Sequence, residues 1–137
     1  MTHQEIFNKV ITHLRQQGRP AMGDRRNGEN YCLYAAPNGD ACAVGCLINP
    51  NAYHPDIEGV GVQTAISCVV AEGDCVEDDR GFLLLQVLEA SGIRTDRHTL
   101  RVLEDLQSVH DGWVWGEPMP MHKFVAVADQ FGLMIEV

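Results

Sequence analysis

YCLYAAPNGDACAVGCLI, residues 31–48, is the stretch whose reading decides the fold. It holds three of the five cysteines and two of the three tyrosines. Pro37-Asn38-Gly39-Asp40 is a turn signal, because Asn and Gly tolerate the positive φ that a tight type I′ hairpin turn requires. The flanks are mostly apolar, so the stretch predicts a β-hairpin with Asn38 and Gly39 as a two-residue loop. Residues 36 and 41, 34 and 43, and 32 and 45 are then paired. Cys42 and Cys46 share a face in that arrangement and Cys32 points away from it. If the second arm is helical instead, Cys42 and Cys46 are four apart and again share a face.

Upstream, Thr2 to Gln17 predicts a helix. Thr2 and Glu5 match the S/T-x-x-E capping box, and Ile6, Phe7, Val10, Ile11 and Leu14 form one apolar stripe. Gly18 and Pro20 end it. Residues 18–30 read as a loop carrying Arg19, Arg25 and Arg26, the one basic patch, suited to an anionic ligand or to the protein's own acidic half. Downstream, Asn49 to Gly61 is a connector in which Tyr53, His54, Asp56 and Glu58 cluster. Val62 to Ala71 reads as a helix, with a strand as the alternative. The acidic loop 72–81 lacks the alternating oxygen ligands and closing Glu of a calcium loop.

Phe82 to Ser91 is apolar almost all round and is expected at the centre of the core. In the helix Thr95 to His110, Leu100, Leu103, Leu106 and Val109 face inward and Arg97, Arg101, Glu104 and Asp105 outward, with Arg101 and Asp105 spaced to pair. Trp113-Val114-Trp115 reads as a short extended piece with both indoles on one face. A last helix runs from about Pro120 to Phe131. The fold expected is α+β, mainly α: four to five helices packed on a small β-hairpin, in a single globular domain over residues 1–137.

The length suits one domain with its own core, and mean hydropathy is −0.12. No apolar run is long enough for a membrane span, and MTHQEIFNKV lacks the basic start and apolar block of a signal peptide. A cytoplasmic protein with free thiols is the expectation. Net charge is −9, unevenly spread: residues 1–50 hold five Lys/Arg against four Asp/Glu, and residues 51–137 hold five against fifteen. That balance disfavours direct nucleic-acid binding, which needs clustered cations. It suits a basic protein partner, and it also serves solubility alone.

Several pieces of the chain occur together elsewhere: Cys32-x-Tyr34, the Pro37-Asn38-Gly39 turn, Cys42-Ala43-Val44-Gly45-Cys46-Leu47-Ile48 and Tyr53-His54-Pro55-Asp56-Ile57-Glu58-Gly59. Leu106 to Asp111, a Trp, and a closing helix ending in Phe131-Gly132-Leu133 follow. In this the chain resembles a set of small bacterial and phage or prophage proteins to which no activity is attached. The resemblance implies a mobile-element context and supplies no catalytic residues.

The residues themselves offer three chemistries. Cys32, Cys42, Cys46 and His54 have zinc-ligand types, but their C-x9-C-x3-C-x7-H spacing fits no common zinc module; burial as small apolar residues is the ordinary fate of such cysteines. Cys42 or Cys46 with His54 or His110, and Asp111 as orienting acid, would make a cysteine nucleophile. No phosphate-binding loop, metalloprotease helix or nucleophile-elbow motif accompanies them. Tyr34, Tyr53, Glu58, Trp113 and Trp115 are candidates for binding a ligand or partner. The expectation is a non-enzymatic binding protein without a cofactor. It would take a host protein or a small anionic signalling molecule, perform a counter-defence task, and is compatible with a homodimer. The alternatives are a small cysteine-dependent enzyme acting on nucleotides and a zinc-stabilised adaptor.

Overall fold

Thr2 starts the first helix as the capping-box pattern predicts. Its hydroxyl accepts the Glu5 N–H at 3.1 Å and the Glu5 carboxylate accepts the Thr2 N–H at 3.1 Å. Those hydrogen bonds hold the Glu5 carboxyl below the usual carboxylate range. The computed structural model describes residues 1–22, 33–70 and 80–135. Helix α1 runs His3–Gln17 and buries Ile6, Phe7, Val10, Ile11 and Leu14. Each such side chain removed from water stabilises the fold by about 1.5–3 kcal/mol. Gly18 ends α1 at a positive φ of 71°, where its N–H reaches the Leu14 carbonyl.

Helices α2 (Val62–Val70), α3 (Arg80–Ala90), α4 (Arg97–Asp111) and α5 (Met121–Phe131) follow. Helix α4 is the hub, packing against α1, α2 and α5. Leu100, Val102, Leu103, Leu106 and His110 on it are wholly inaccessible to solvent. Helix α3, expected at the centre, packs instead on α2 and on the 3-10 turn Pro55–Ile57, and its Leu83 stays only partly buried. Helix α4 starts at Arg97 and not at Thr95, and Asp96 caps it, accepting the Thr99 N–H and hydroxyl at 3.2 and 2.6 Å. No helix among the described residues is long and apolar enough to cross a membrane.

The expected hairpin is absent. Among the described residues there is no β-strand, so the fold is helical and not α+β. The turn sits one residue early: the Gly39 N–H bonds the Ala36 carbonyl at 3.0 Å, which puts Pro37 and Asn38 at its centre. Pro37 favours that placement because its ring presets φ for the first central position. The Asn38 side chain then accepts the Asp40 N–H at 3.0 Å. The second arm coils at once, with the Cys46 N–H on the Cys42 carbonyl at 3.1 Å and a 3-10 turn over Gly45–Leu47.

No neighbouring strand satisfies the backbone here; besides turn bonds and the Leu33 N–H on the Ala21 carbonyl, side chains from distant elements do. Glu58 accepts the Tyr34 and Ala35 N–H groups at 2.8 and 3.0 Å. Gln17 accepts the Ala41 N–H at 2.9 Å, and His13 Nε2 donates to the Ala41 carbonyl at 2.9 Å. Gln107 accepts the Val44 N–H at 3.0 Å. A ladder would have met the same obligation; here α1, α4 and the connector at Glu58 converge on one loop. Gly45 is required at their meeting point, because a Cβ there would lie 1.9 Å from the Tyr34 carbonyl oxygen.

Candidate functional site

Tyr34, Tyr53 and Glu58 come together, because the connector folds back over residues 33–36. The Tyr53 hydroxyl donates to Glu58 at 2.7 Å, and the same carboxylate holds the Tyr34 and Ala35 N–H groups. The Tyr34 hydroxyl donates to the Val60 carbonyl. Both carboxylate oxygens and both phenols are thereby engaged within the chain. Burial, followed by the charges of Cys42 and neighbouring carboxylates, pushes the Tyr34 phenol far above its ordinary range. Desolvation and the Glu58 hydrogen bond do the same for Tyr53.

A small cleft of about 230 Å³ opens beside this clamp, lined by Tyr34, Cys42, Gln107 and Asp111. Cys42 is buried, and its sulfur accepts the Gly45 N–H at 3.3 Å. Burial raises the Cys42 thiol well above its ordinary pKa, and it pushes Cys46 up to about 12. Cys46 donates to the Ala43 carbonyl at 3.1 Å. Both are therefore neutral thiols near pH 7, and a nucleophile needs the thiolate.

His110, fully buried, accepts the Ala21 N–H on Nε2 at 3.0 Å. That acceptor role leaves the proton on Nδ1, which faces Asp111 Oδ1 at 3.1 Å. The same Asp111 oxygen receives Gln107 Nε2 at 2.6 Å. Neither ring nitrogen is available to take a proton from a thiol, so His110 braces residue 21 against α4. His54 is spent differently: its Nδ1 accepts the Asp56 N–H at 3.1 Å and caps the 3-10 turn.

Cys32, the first residue of the zinc alternative, lies outside the described residues, as do Arg25, Arg26 and the acidic segment 72–79. Among the described residues no group of three or more His, Cys, Asp or Glu is placed to hold a metal. Cys68 is disulfide-bonded, which corrects the expectation that every cysteine is a free thiol.

The two indoles do not share a face. The chain turns at Val114–Glu117, with the Glu117 N–H on the Val114 carbonyl at 3.1 Å, so the alternation of an extended strand does not apply. Trp113 is 3% exposed and its Nε1 donates to the Glu117 carbonyl at 2.9 Å. Trp115 is 40% exposed and Val114 58%. The Arg19 guanidinium lies 6.0 Å from the Trp115 ring centre, and Asp40 grips Arg19 bidentately at 2.6 and 3.0 Å. Arg19 thus meets a carboxylate of the N-terminal half and not the acidic second half.

A cleft of about 740 Å³ lies between α2, α4 and the end of α5. Arg97, His98 and Arg101 line one part of it, and Glu104 and Asp105 line another. Ile66, nearly buried, and Phe131 add apolar surface. No ion pair among the described residues involves Arg97, His98 or Arg101, and the expected Arg101–Asp105 pair is not formed. The helical spacing puts Arg97, Arg101, Glu104 and Asp105 on the outward face of this helix, and the structure shows that face bordering a cleft. Their signal was present: Arg97, His98 and Arg101 fall within two turns of one helix, in a half of the chain with five Lys/Arg against fifteen Asp/Glu.

No protein-family model matches the chain, and comparison with curated proteins and with solved structures returns no match.

Proposed function

We propose that this is a non-enzymatic binding protein for a small anionic molecule, taken up in the cleft between α2, α4 and α5. The observation that carries the reading is the trio Arg97, His98 and Arg101, in no ion pair with any described residue, in the wall of a cleft of about 740 Å³ in a chain with net charge −9. In so acidic a protein a cation without a carboxylate partner forgoes an available neutralising contact, and guanidinium groups suit phosphate and carboxylate geometry. The thiols and His110, the groups a cysteine enzyme would use, are protonated or hydrogen-bonded in place, which supports binding over turnover.

The resemblance to phage and prophage proteins supports a mobile-element setting, with a counter-defence task as its biological form. A cytoplasmic location belongs to the same proposal, and the Cys68 disulfide weighs against it. The test is calorimetric titration with pyrophosphate at low salt. Saturable binding that weakens as salt rises and is lost in the Arg97→Ala/Arg101→Ala variant supports the reading. Absence of binding, or binding indifferent to both arginines, refutes it.

A second reading rests on the Val114–Trp115 turn. An exposed indole braced by an arginine that is itself held by Asp40 is a preorganised anchor for a protein partner. Sedimentation velocity tests its self-complementary form. A dimer that dissociates in Trp115→Ala supports it, and a dimer that survives that change refutes it.

A further inference from the structure

The charge in the large cleft is graded along α4. Arg97, His98 and Arg101 occupy its first two turns; Glu104 and Asp105 follow one turn later. At 1.5 Å per residue, Arg97 and Glu104 are separated by roughly 10 Å along the helix axis. No ion pair links the two groups across the turn between them. The apolar surfaces of Ile66 and Phe131 lie in the same cleft. A ligand that satisfies all of this is anionic at one end, planar and weakly polar in the body, and a hydrogen-bond donor at the other.

Simple anions meet only the first condition. Inorganic phosphate or a sugar phosphate leaves Glu104 and Asp105 facing a like-charged guest. An acidic peptide is repelled by those carboxylates along its whole length. A nucleotide whose base carries an exocyclic amine meets all three conditions. Its phosphate suits the arginines, its ring can lie on Phe131, and its amine can donate to a carboxylate as the cytosine amine does to Glu or Asp. The cleft volume is also in the range of small-ligand sites.

We infer that the cleft between α2, α4 and α5 is a mononucleotide site selective for amine-bearing bases, with Arg97 and Arg101 taking the phosphate and Glu104 and Asp105 reading the base. This rests on the anion-binding reading above and specifies its ligand.

Titration calorimetry at about 50 mM salt, where surface charges are incompletely screened, separates the two. The probes are adenosine and cytidine monophosphates, uridine monophosphate, ribose 5-phosphate and adenosine. Adenosine and cytidine monophosphates are expected to bind about tenfold more tightly than uridine monophosphate or ribose 5-phosphate, one charge-assisted hydrogen bond being the difference. Arg101→Ala should weaken all phosphate-bearing probes about tenfold. Glu104→Gln/Asp105→Asn should erase the preference for amine-bearing bases while leaving ribose 5-phosphate binding intact or stronger. Equal affinity for all phosphates, still lost in Arg101→Ala, overturns the base selectivity and keeps the anion site. Adenosine binding as tightly as its monophosphate overturns the assigned phosphate role. No binding of any probe overturns both. The substituted side chains are exposed or half-buried, and circular dichroism verifies that each variant is folded.

Discussion

Raising the pH distinguishes a core role from a chemical role for Cys42 and Cys46. In an unfolded chain a thiol ionises near pH 8.5. In the folded protein burial holds Cys42 well above that and Cys46 up to about 12. A raised folded pKa means that the neutral form is favoured by folding. The associated stability is complete below about pH 8.5 and is lost as the pH climbs towards the folded values. Between pH 7.5 and 9.5 a thiol that ionises only on unfolding costs about 1.4 kcal/mol. Cys42, fully buried, should give nearly all of that; Cys46 is half-buried and gives less. The expected loss is roughly 2 kcal/mol, a sizeable part of the 5–15 kcal/mol typical of a domain. Urea unfolding followed by circular dichroism at the two pH values measures it, with Cys42→Ala/Cys46→Ala as the control that should flatten the dependence. A wild-type slope equal to that of the double variant would refute the reasoning. A thiolate absorbance step near pH 8.5 in the native protein that vanishes in Cys42→Ala would do so as well, because it would reveal an ionisable, accessible thiol of the kind catalysis requires.

Three further substitutions probe the contacts that hold residues 33–48 and residue 21 in place. Gly45→Ala puts a Cβ against the Tyr34 backbone and should cost more than about 3 kcal/mol, read as a lowered urea midpoint; an unchanged midpoint would contradict the close approach. Glu58→Gln keeps one carbonyl acceptor for two backbone N–H groups and should cost about 1–3 kcal/mol; with Tyr53→Phe it should show coupling in a double-mutant cycle, since both act through one hydrogen bond. His110→Leu leaves the Ala21 N–H buried without an acceptor and should cost about 1–3 kcal/mol, with His110→Gln recovering part of it through its side-chain carbonyl, again by urea unfolding.

The helices were legible because their signals are local. The Thr2–Glu5 box and the stripe from Ile6 to Leu14 lie within α1 itself, and α2, α4 and α5 carry their own apolar faces. Residues 33–48 were misread because their hydrogen-bond partners are remote. Nothing within the loop reveals that Gln17, Glu58 and Gln107 will satisfy its backbone. Asn-Gly flanked by apolar residues reads as a hairpin in the absence of that knowledge, and Pro37 is the one local residue that argued for the earlier turn. The candidate site divides in the same way. The polar cluster of Tyr53, His54, Asp56 and Glu58 was visible in the connector, but its meeting with Tyr34 depended on the connector folding back, which no local signal shows. The cleft was not visible, because it is formed by the packing of three separate helices, and a charged helical face looks alike whether it meets solvent or borders a groove.

Gln4 exchanges two hydrogen bonds with the backbone of residue 134: its amide donates to the Met134 carbonyl and its carbonyl accepts the Met134 N–H, both at 2.8 Å. During synthesis the ribosome emits Met134 some 130 residues after Gln4. At about 5–20 residues per second that interval is roughly 6–26 s. For that time the first turn of α1 lacks the pair of hydrogen bonds that ties it to the segment after α5, so this clasp closes only after α5 has been made.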